Sequence, residues 1–272
     1  MPTHNINGVD LFYDQTGDGD PILFHHGYTG SHDSWPPIID QIKDRYRCIV
    51  MDGRGAGDSA HPDEGYTIEQ MAADVVGMAD ALALDRFTYV GHSMGGVIGM
   101  ELGLAHADRL DRLVLVAPAP ADGIDLPDSF RDRARRLWLD KERDTLIQER
   151  LALNARIDDA DEIAQSVDRA LSVSQAHYDQ CWDALVNYHK GDRLAEIQTP
   201  TLVMAGAADG LLSDNLRDFG RLPNATLHVF SRVSHGVPRE VPRAFASVLV
   251  DFMQHGVVTA RTLQKALLTA SR

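Results

Sequence analysis

Tyr89-Val90-Gly91-His92-Ser93-Met94-Gly95-Gly96-Val97 is the stretch whose reading decides the fold. Before it, Phe87 to Val90 is a short aromatic and β-branched run, the composition of a buried strand. After it, Val97, Ile98, Met100, Leu102 and Leu104 fall among small residues, as in a helix buried on most sides. Between them, Gly91-x-Ser93-x-Gly95 is the pattern of a nucleophile elbow. A turn this sharp strains the backbone of its central residue, and flanking glycines let strand and helix pass without Cβ clashes. Ser93 then projects its hydroxyl at the positive end of the following helix, and the Met94 amide is free for a developing oxyanion. The same pattern also occurs by chance as a plain loop. The strand before and the helix after favour the elbow.

A serine hydroxyl is a poor nucleophile near neutral pH, so it needs a general base held by a carboxylate. In a parallel α/β sheet such groups gather at the carboxyl ends of the strands. Asp209 follows the run Thr201 to Ala205, and His235 follows the run Ala225 to Phe230. The order Ser93, Asp209, His235 suits a triad on such a sheet. Asp122, after the run ending at Val116, is the competing acid. His25 and His26 lack partners at metal-ligand spacing, so no metal and no cofactor are expected. His92, the residue before the nucleophile, is expected to point away from the cleft.

Outward from the elbow, the chain alternates. Val9 to Gln15 reads as an antiparallel strand; Pro21 to His25 and Tyr46 to Met51 read as buried strands. Ser34 is placed to cap a short helix through Ile42, and Thr67-Ile68-Glu69-Gln70 is a capping box for a helix to about Leu84. Asp52-Gly53-Arg54-Gly55-Ala56-Gly57 reads as a structural corner whose Asp and Arg bond backbone and each other. Arg112 to Val116 is another strand. From Asp122 to about Ile197 no strand is evident and apolar residues fall at helical spacing, a helical insertion too long for a loop. Strands then resume, and a last amphipathic helix spans about Pro242 to Met253, before a tail from Gln254 to Arg272. The fold class is α/β: a mostly parallel sheet flanked by helices, with right-handed crossovers and a helical insertion between strands.

The chain has 272 residues, with 44% hydrophobic and 24% charged residues, and a net charge of −14. Such a field repels polyanions, so nucleic acid and anionic membranes are poor partners. No apolar run has the length of a membrane span. Met1 to Asp10 carries neither a basic start nor an apolar stretch, so the cytoplasm is the expected compartment. Cys48 and Cys181 are read as two buried thiols.

Together with His26-Gly27, Ser31 and Trp35, Asp52-x-Arg54-Gly55-x-Gly57-x-Ser59, Gly206-x-x-Asp209 and His235-x-x-x-x-Glu240-x-Pro242, the elbow resembles the α/β-hydrolase superfamily over nearly the whole chain. It looks most like the esterase, lactonase and perhydrolase branch. The resemblance implies a core domain of residues 1–120 and 201–272 with a cap of residues 121–200. It also implies that Tyr28 supplies a second oxyanion amide beside Met94. A small-molecule ester or lactone, cleaved through an acyl-enzyme, is the expected substrate. Ser93 separates the chain from relatives with Asp at the nucleophile position, and Thr29 stands where many perhydrolases carry proline. Carbon–carbon bond hydrolases share the triad, and some proteins of this fold are small-molecule receptors, so both readings stay open. In the cap, Trp138, Trp182 and Tyr188 are the aromatic candidates to line the pocket, Trp182 first. Alternatively, they only hold cap helices together. Oligomeric state has no signal in the sequence.

Overall fold

The computed structural model describes residues 2–153, 160–260 and 262–264. Its frame is set by strands that are apolar on both faces. In β3 (Asp20–His25), Leu23 packs into one core and Ile22 and Phe24 into another. In β4 (Tyr46–Met51), Ile49 and Met51 share the first core, and Cys48 and Val50 the second. Strands that bury both faces belong in the middle of a parallel sheet covered by helices on each side. That is the arrangement found. β1 (Thr3–Ile6) and β2 (Val9–Thr16) precede these strands, and β5 (Phe87–His92), β6 (Leu110–Val116), β7 (Thr201–Gly206) and β8 (Ala225–Phe230) follow. The sheet order is β1-β2-β4-β3-β5-β6-β7-β8. β2 runs antiparallel to both neighbours, and every pair from β4 to β8 is parallel.

Helices α1 (Pro36–Ile42), α2 (Ile68–Ala81) and α3 (Met94–Ala105) alternate with the first strands. The insertion between β6 and β7 holds α4 (Asp128–Leu139), α5 (Arg143–Leu153), α6 (Ala160–Ser172) and α7 (Gln175–Val186). After β7 come α8 (Leu212–Arg221), the single turn α9 (Val237–Glu240) and α10 (Pro242–His255). α2 and α3 cover one face of the sheet; α1 and α10 cover the other, where Trp35 packs between Phe24 and Phe245. Both cysteines are buried and unbridged, and burial pushes the Cys48 thiol up to about 12.

Several local expectations change. The first strand was not expected; Asn7 (φ 50) and Gly8 (φ 82) make the tight turn that returns β1 onto β2, and paired positive φ values are what an Asn-Gly hairpin turn requires. Ser34 caps nothing: His32–Ser34 forms a 3-10 turn, and Trp35 takes the N-cap position with Pro36 in the first helical turn. Only half of the capping box forms. Thr67 accepts from the Gln70 amide at 3.1 Å, while the Gln70 side chain turns to Asp74 at 3.0 Å. Arg54 also chooses Asp74, at 2.7 and 2.8 Å, instead of Asp52. Asp52 is already spent on the His32 amide and ring, at 2.6 and 2.7 Å, and on the Asp58 amide at 2.9 Å. The tail beyond residue 264 lies outside the described residues. Among those described, no helix is long and apolar enough to cross a membrane.

Candidate active site

Ser93 sits between β5 and α3 at φ 55 and ψ −112, a conformation that non-glycine residues avoid and that persists only where the surroundings hold it. The surroundings do hold it. The Ser93 amide donates to Val116 O at 2.9 Å, and its carbonyl accepts from Gly96, Val97 and Ala119 at 2.9, 3.3 and 3.2 Å. A Cβ at Gly91 would lie 2.0 Å from Gly95 O, so this crossing of strand and helix admits only glycine.

His235, in the loop after β8, reaches Ser93 at the carboxyl edge of the sheet. Its Nε2 lies 2.9 Å from Ser93 Oγ and its Nδ1 2.8 Å from Asp209 Oδ2. The other carboxylate oxygen of Asp209 accepts the Leu211 amide at 3.0 Å. Burial alone would raise the Asp209 pKa, but the His235 contact and the Leu211 amide together bring it below the usual carboxylate range. The acid is therefore ionised wherever the imidazole needs it. Asp122, the competing acid, is held instead by Arg221 at 2.7 Å and Arg217 at 3.3 Å.

The loop after β3 leans on the nucleophile. A Cβ at Gly27 would come within 2.9 Å of Ser93 Cβ. His26 pins this loop: its Nε2 accepts the Gly53 amide at 2.9 Å, so Nδ1–H donates to Gly27 O at 2.8 Å. Burial lowers its pKa and keeps that neutral tautomer. Tyr28 and Met94 follow Gly27 and Ser93 directly, and neither amide enters a backbone hydrogen bond among the described residues. Amides left free of backbone acceptors are what a tetrahedral oxyanion needs.

Two positioning residues were missed in the sequence. His92 does not turn away from the cleft. The sharp turn carries its ring within 5.0 Å of the His235 ring, where Nε2–H donates to the His235 carbonyl at 2.9 Å. Burial and the neighbouring His235 hold its pKa at about 3, so it stays a neutral donor. Glu240 is buried and accepts the Ser234 amide at 3.1 Å and the Ser234 hydroxyl, fixing the backbone next to His235. Its place five residues after His235 and two before Pro242 was the available signal.

A cavity of about 450 Å³ opens over Ser93, lined by Tyr28 and His235 and, from α5 and α6 of the insertion, by Arg150, Leu153, Ile163 and Arg169. The aromatic expectation fails here, because Trp138, Trp182 and Tyr188 do not line it. Trp138 is buried inside the insertion, its Nε1–H on Ala170 O at 2.8 Å and its ring stacked on Tyr178 at 4.5 Å. Trp182 stands behind Tyr28, ring centroids 6.0 Å apart, and Tyr188 donates to Glu101 at 3.3 Å. Trp138→Ala is therefore expected to cost about 3–5 kcal/mol of stability in urea unfolding while leaving the ranking of acyl chains by kcat/KM intact. A changed ranking without stability loss would contradict this placement. The His32, Asp52 and Asp58 side chains converge closely enough for an ion, but the Asp52 oxygens already serve the hydrogen bonds above.

A family model described as the alpha/beta hydrolase fold matches residues 20–238. This chain belongs to the α/β-hydrolase family. A putative carbamate hydrolase, RutD, of Caulobacter sp. (strain K31) is 32% identical over 269 residues, spanning 93% of this hydrolase and 98% of the relative. The 3-oxoadipate enol-lactonase 2 of Acinetobacter baylyi is 29% identical over 252 residues, spanning 89% and 92% of the two chains. Among solved structures, the enol-lactonase from Burkholderia xenovorans LB400 superposes with a TM-score of 0.83 at 25% identity, covering 93% of this hydrolase and all of that chain.

Proposed function

We propose that this hydrolase cleaves a carboxylic ester or lactone through an acyl-enzyme, with Ser93 as nucleophile. The observation that carries the reading is the 2.9 Å approach of His235 Nε2 to Ser93 Oγ at a strained elbow. In this reading, Ser93 Oγ attacks the carbonyl carbon as its proton passes to His235 Nε2, and Asp209 balances the imidazolium. The carbonyl oxygen takes the negative charge and meets the Tyr28 and Met94 amides. Collapse breaks the bond to the leaving alkoxide, which takes the proton from His235. Water then attacks the acyl carbon, gives its proton to the same nitrogen, and the acid leaves as Ser93 recovers its hydrogen.

Residues 121–200 act as a cap in this proposal. Tyr28 Oη donates to Tyr178 O at 2.6 Å, and His177 Nδ1–H donates to Arg54 O at 2.9 Å, so the insertion is fastened to the loops that carry the site. The names of the relatives support carbonyl hydrolysis with either an oxygen or a nitrogen leaving group, so a carbamate is the second reading. A phosphonate probe that labels Ser93, together with turnover of p-nitrophenyl esters, lactones and carbamates, tests both. Carbamate turnover well above ester turnover would select the second. Tight ligand binding with neither labelling nor turnover would make the chain a receptor.

A further inference from the structure

The chain carries 40 acidic residues against 26 basic ones, yet the cavity over Ser93 is lined by three arginines, Arg150, Arg169 and Arg239. They come from separate elements, α5, α6 and α9. The contacts of Arg169 and Arg239 are incomplete as ion pairs. Arg169 meets Asp33 at 3.3 Å through one nitrogen, while its Nε is buried with no partner. Arg239 lies 4.0 Å from Glu162 and 3.5 Å from Ser34 Oγ. Arg150 donates to Ser166 Oγ at 2.7 Å. Asp33 and Glu162 are 45% and 39% exposed, so neither is a dry counter-ion. The crowding has an electrostatic consequence. Burial and then Arg169 lower the Arg239 guanidinium to about 10, and the same two causes lower Arg150.

A purely structural role for these side chains, tying α5 and α6 to the core, accounts for the serine contacts and not for a buried, unpartnered Nε on Arg169, a residue that lines the cavity over Ser93. A guanidinium is a planar fork matched to a carboxylate, and here the fork is missing its second tooth's partner. We propose that the site takes an ester or lactone that bears a carboxylate away from its scissile carbonyl, gripped by Arg169 with Arg150 and Arg239 beside it. The inference rests on the ester-hydrolase reading of Ser93. It also reverses the impression of the net charge: the global field is acidic, but this cavity is built for an anion.

The test separates the two readings. Methyl hydrogen dicarboxylates from succinate to adipate, and acetoxy acids with the carboxylate on the alcohol side, are each compared with their neutral methyl esters. Binding is read by calorimetry on Ser93→Ala protein, and kcat/KM on the wild type. In at least one pair the anionic member should be favoured on the order of tenfold to a hundredfold. That preference should shrink as salt is raised, and it should collapse in Arg169→Met and fall in Arg239→Gln. Neutral members bound as well as anionic ones in every pair would overturn the inference, as would an unchanged ratio in a folded Arg169→Met. If that variant does not fold, a salt-independent preference in the wild type overturns it equally. Anion-selective binding without any turnover would keep the inference and remove the hydrolase reading; turnover of neutral esters alone would do the reverse.

Discussion

Ser93→Ala will lower kcat for a p-nitrophenyl ester by about ten-thousandfold or more, with little change in unfolding free energy. In the proposed mechanism the serine contributes the attacking oxygen, so its loss removes the acyl-enzyme route and leaves only the oxyanion amides and binding. His235→Ala will cost a similar factor, because Nε2, at 2.9 Å, is the group placed to take the Ser93 proton. Asp209→Asn will cost about as much by presenting the wrong hydrogen-bonding partner to Nδ1, now 2.8 Å from a carboxylate. The effects will not add: the Ser93→Ala, His235→Ala double variant should match the single ones, since the residues act as one unit. Ser93→Ala activity within about tenfold of wild type would refute the assignment.

Acid will destabilise the fold well before its carboxylates protonate. Burial holds His25 and His92 down to about 3 and His177 to about 4, and it lowers His26 as well. In the unfolded chain each returns to about 6.5. Above that value both states carry neutral imidazoles and no stability is lost. As pH falls below it, the unfolded chain binds protons that the native one refuses, so stability falls. At about 1.4 kcal/mol per pKa unit for each group, the loss between about pH 7 and pH 4 is on the order of several kcal/mol or more. His32 opposes the trend. Burial lowers its pKa, but the Asp52 contact overcomes this and raises it, so it gains stability over part of the same range. It is one group against four. Urea melts from about pH 7.5 down to pH 4.5 would show the fall beginning near pH 6.5. A stability flat over that interval would mean these imidazoles protonate without unfolding. His26 and His92, on the loops around Ser93, tie this loss to the site, because protonation abolishes the acceptor at His26 Nε2 and puts a charge on His92 beside His235.

The most legible features were those that local backbone physics dictates. The elbow could be read because only glycine survives a 2.0 Å approach at Gly91. The buried strands could be read because a parallel sheet asks for apolar residues on both faces, as in Ile22-Leu23-Phe24. Ser93, Asp209 and His235 could be paired across more than a hundred residues because each follows a strand, and strand ends of one parallel sheet share an edge. Even the missed first hairpin had a local signal in Asn7-Gly8.

Tertiary packing decided the rest, because those contacts have no period along the chain. Trp138 and Trp182 satisfy the same composition rule whether they face a ligand or a neighbouring helix, and only the angles at which α4 and α7 settle turn them away from the cavity. Arg54 had two acids within reach in sequence logic, and Asp74 won because His32 and the Asp58 amide had already occupied Asp52. Arg150, Arg169 and Arg239 look like solvated charges on three unrelated segments until α5, α6 and α9 bring them to one cavity. Sequence by itself determined the parallel part of the sheet, the elbow and which residues follow its strands, since steric limits and hydrophobic period act between near neighbours. What the cavity is lined with, and so what it can bind, was decided only when distant helices met.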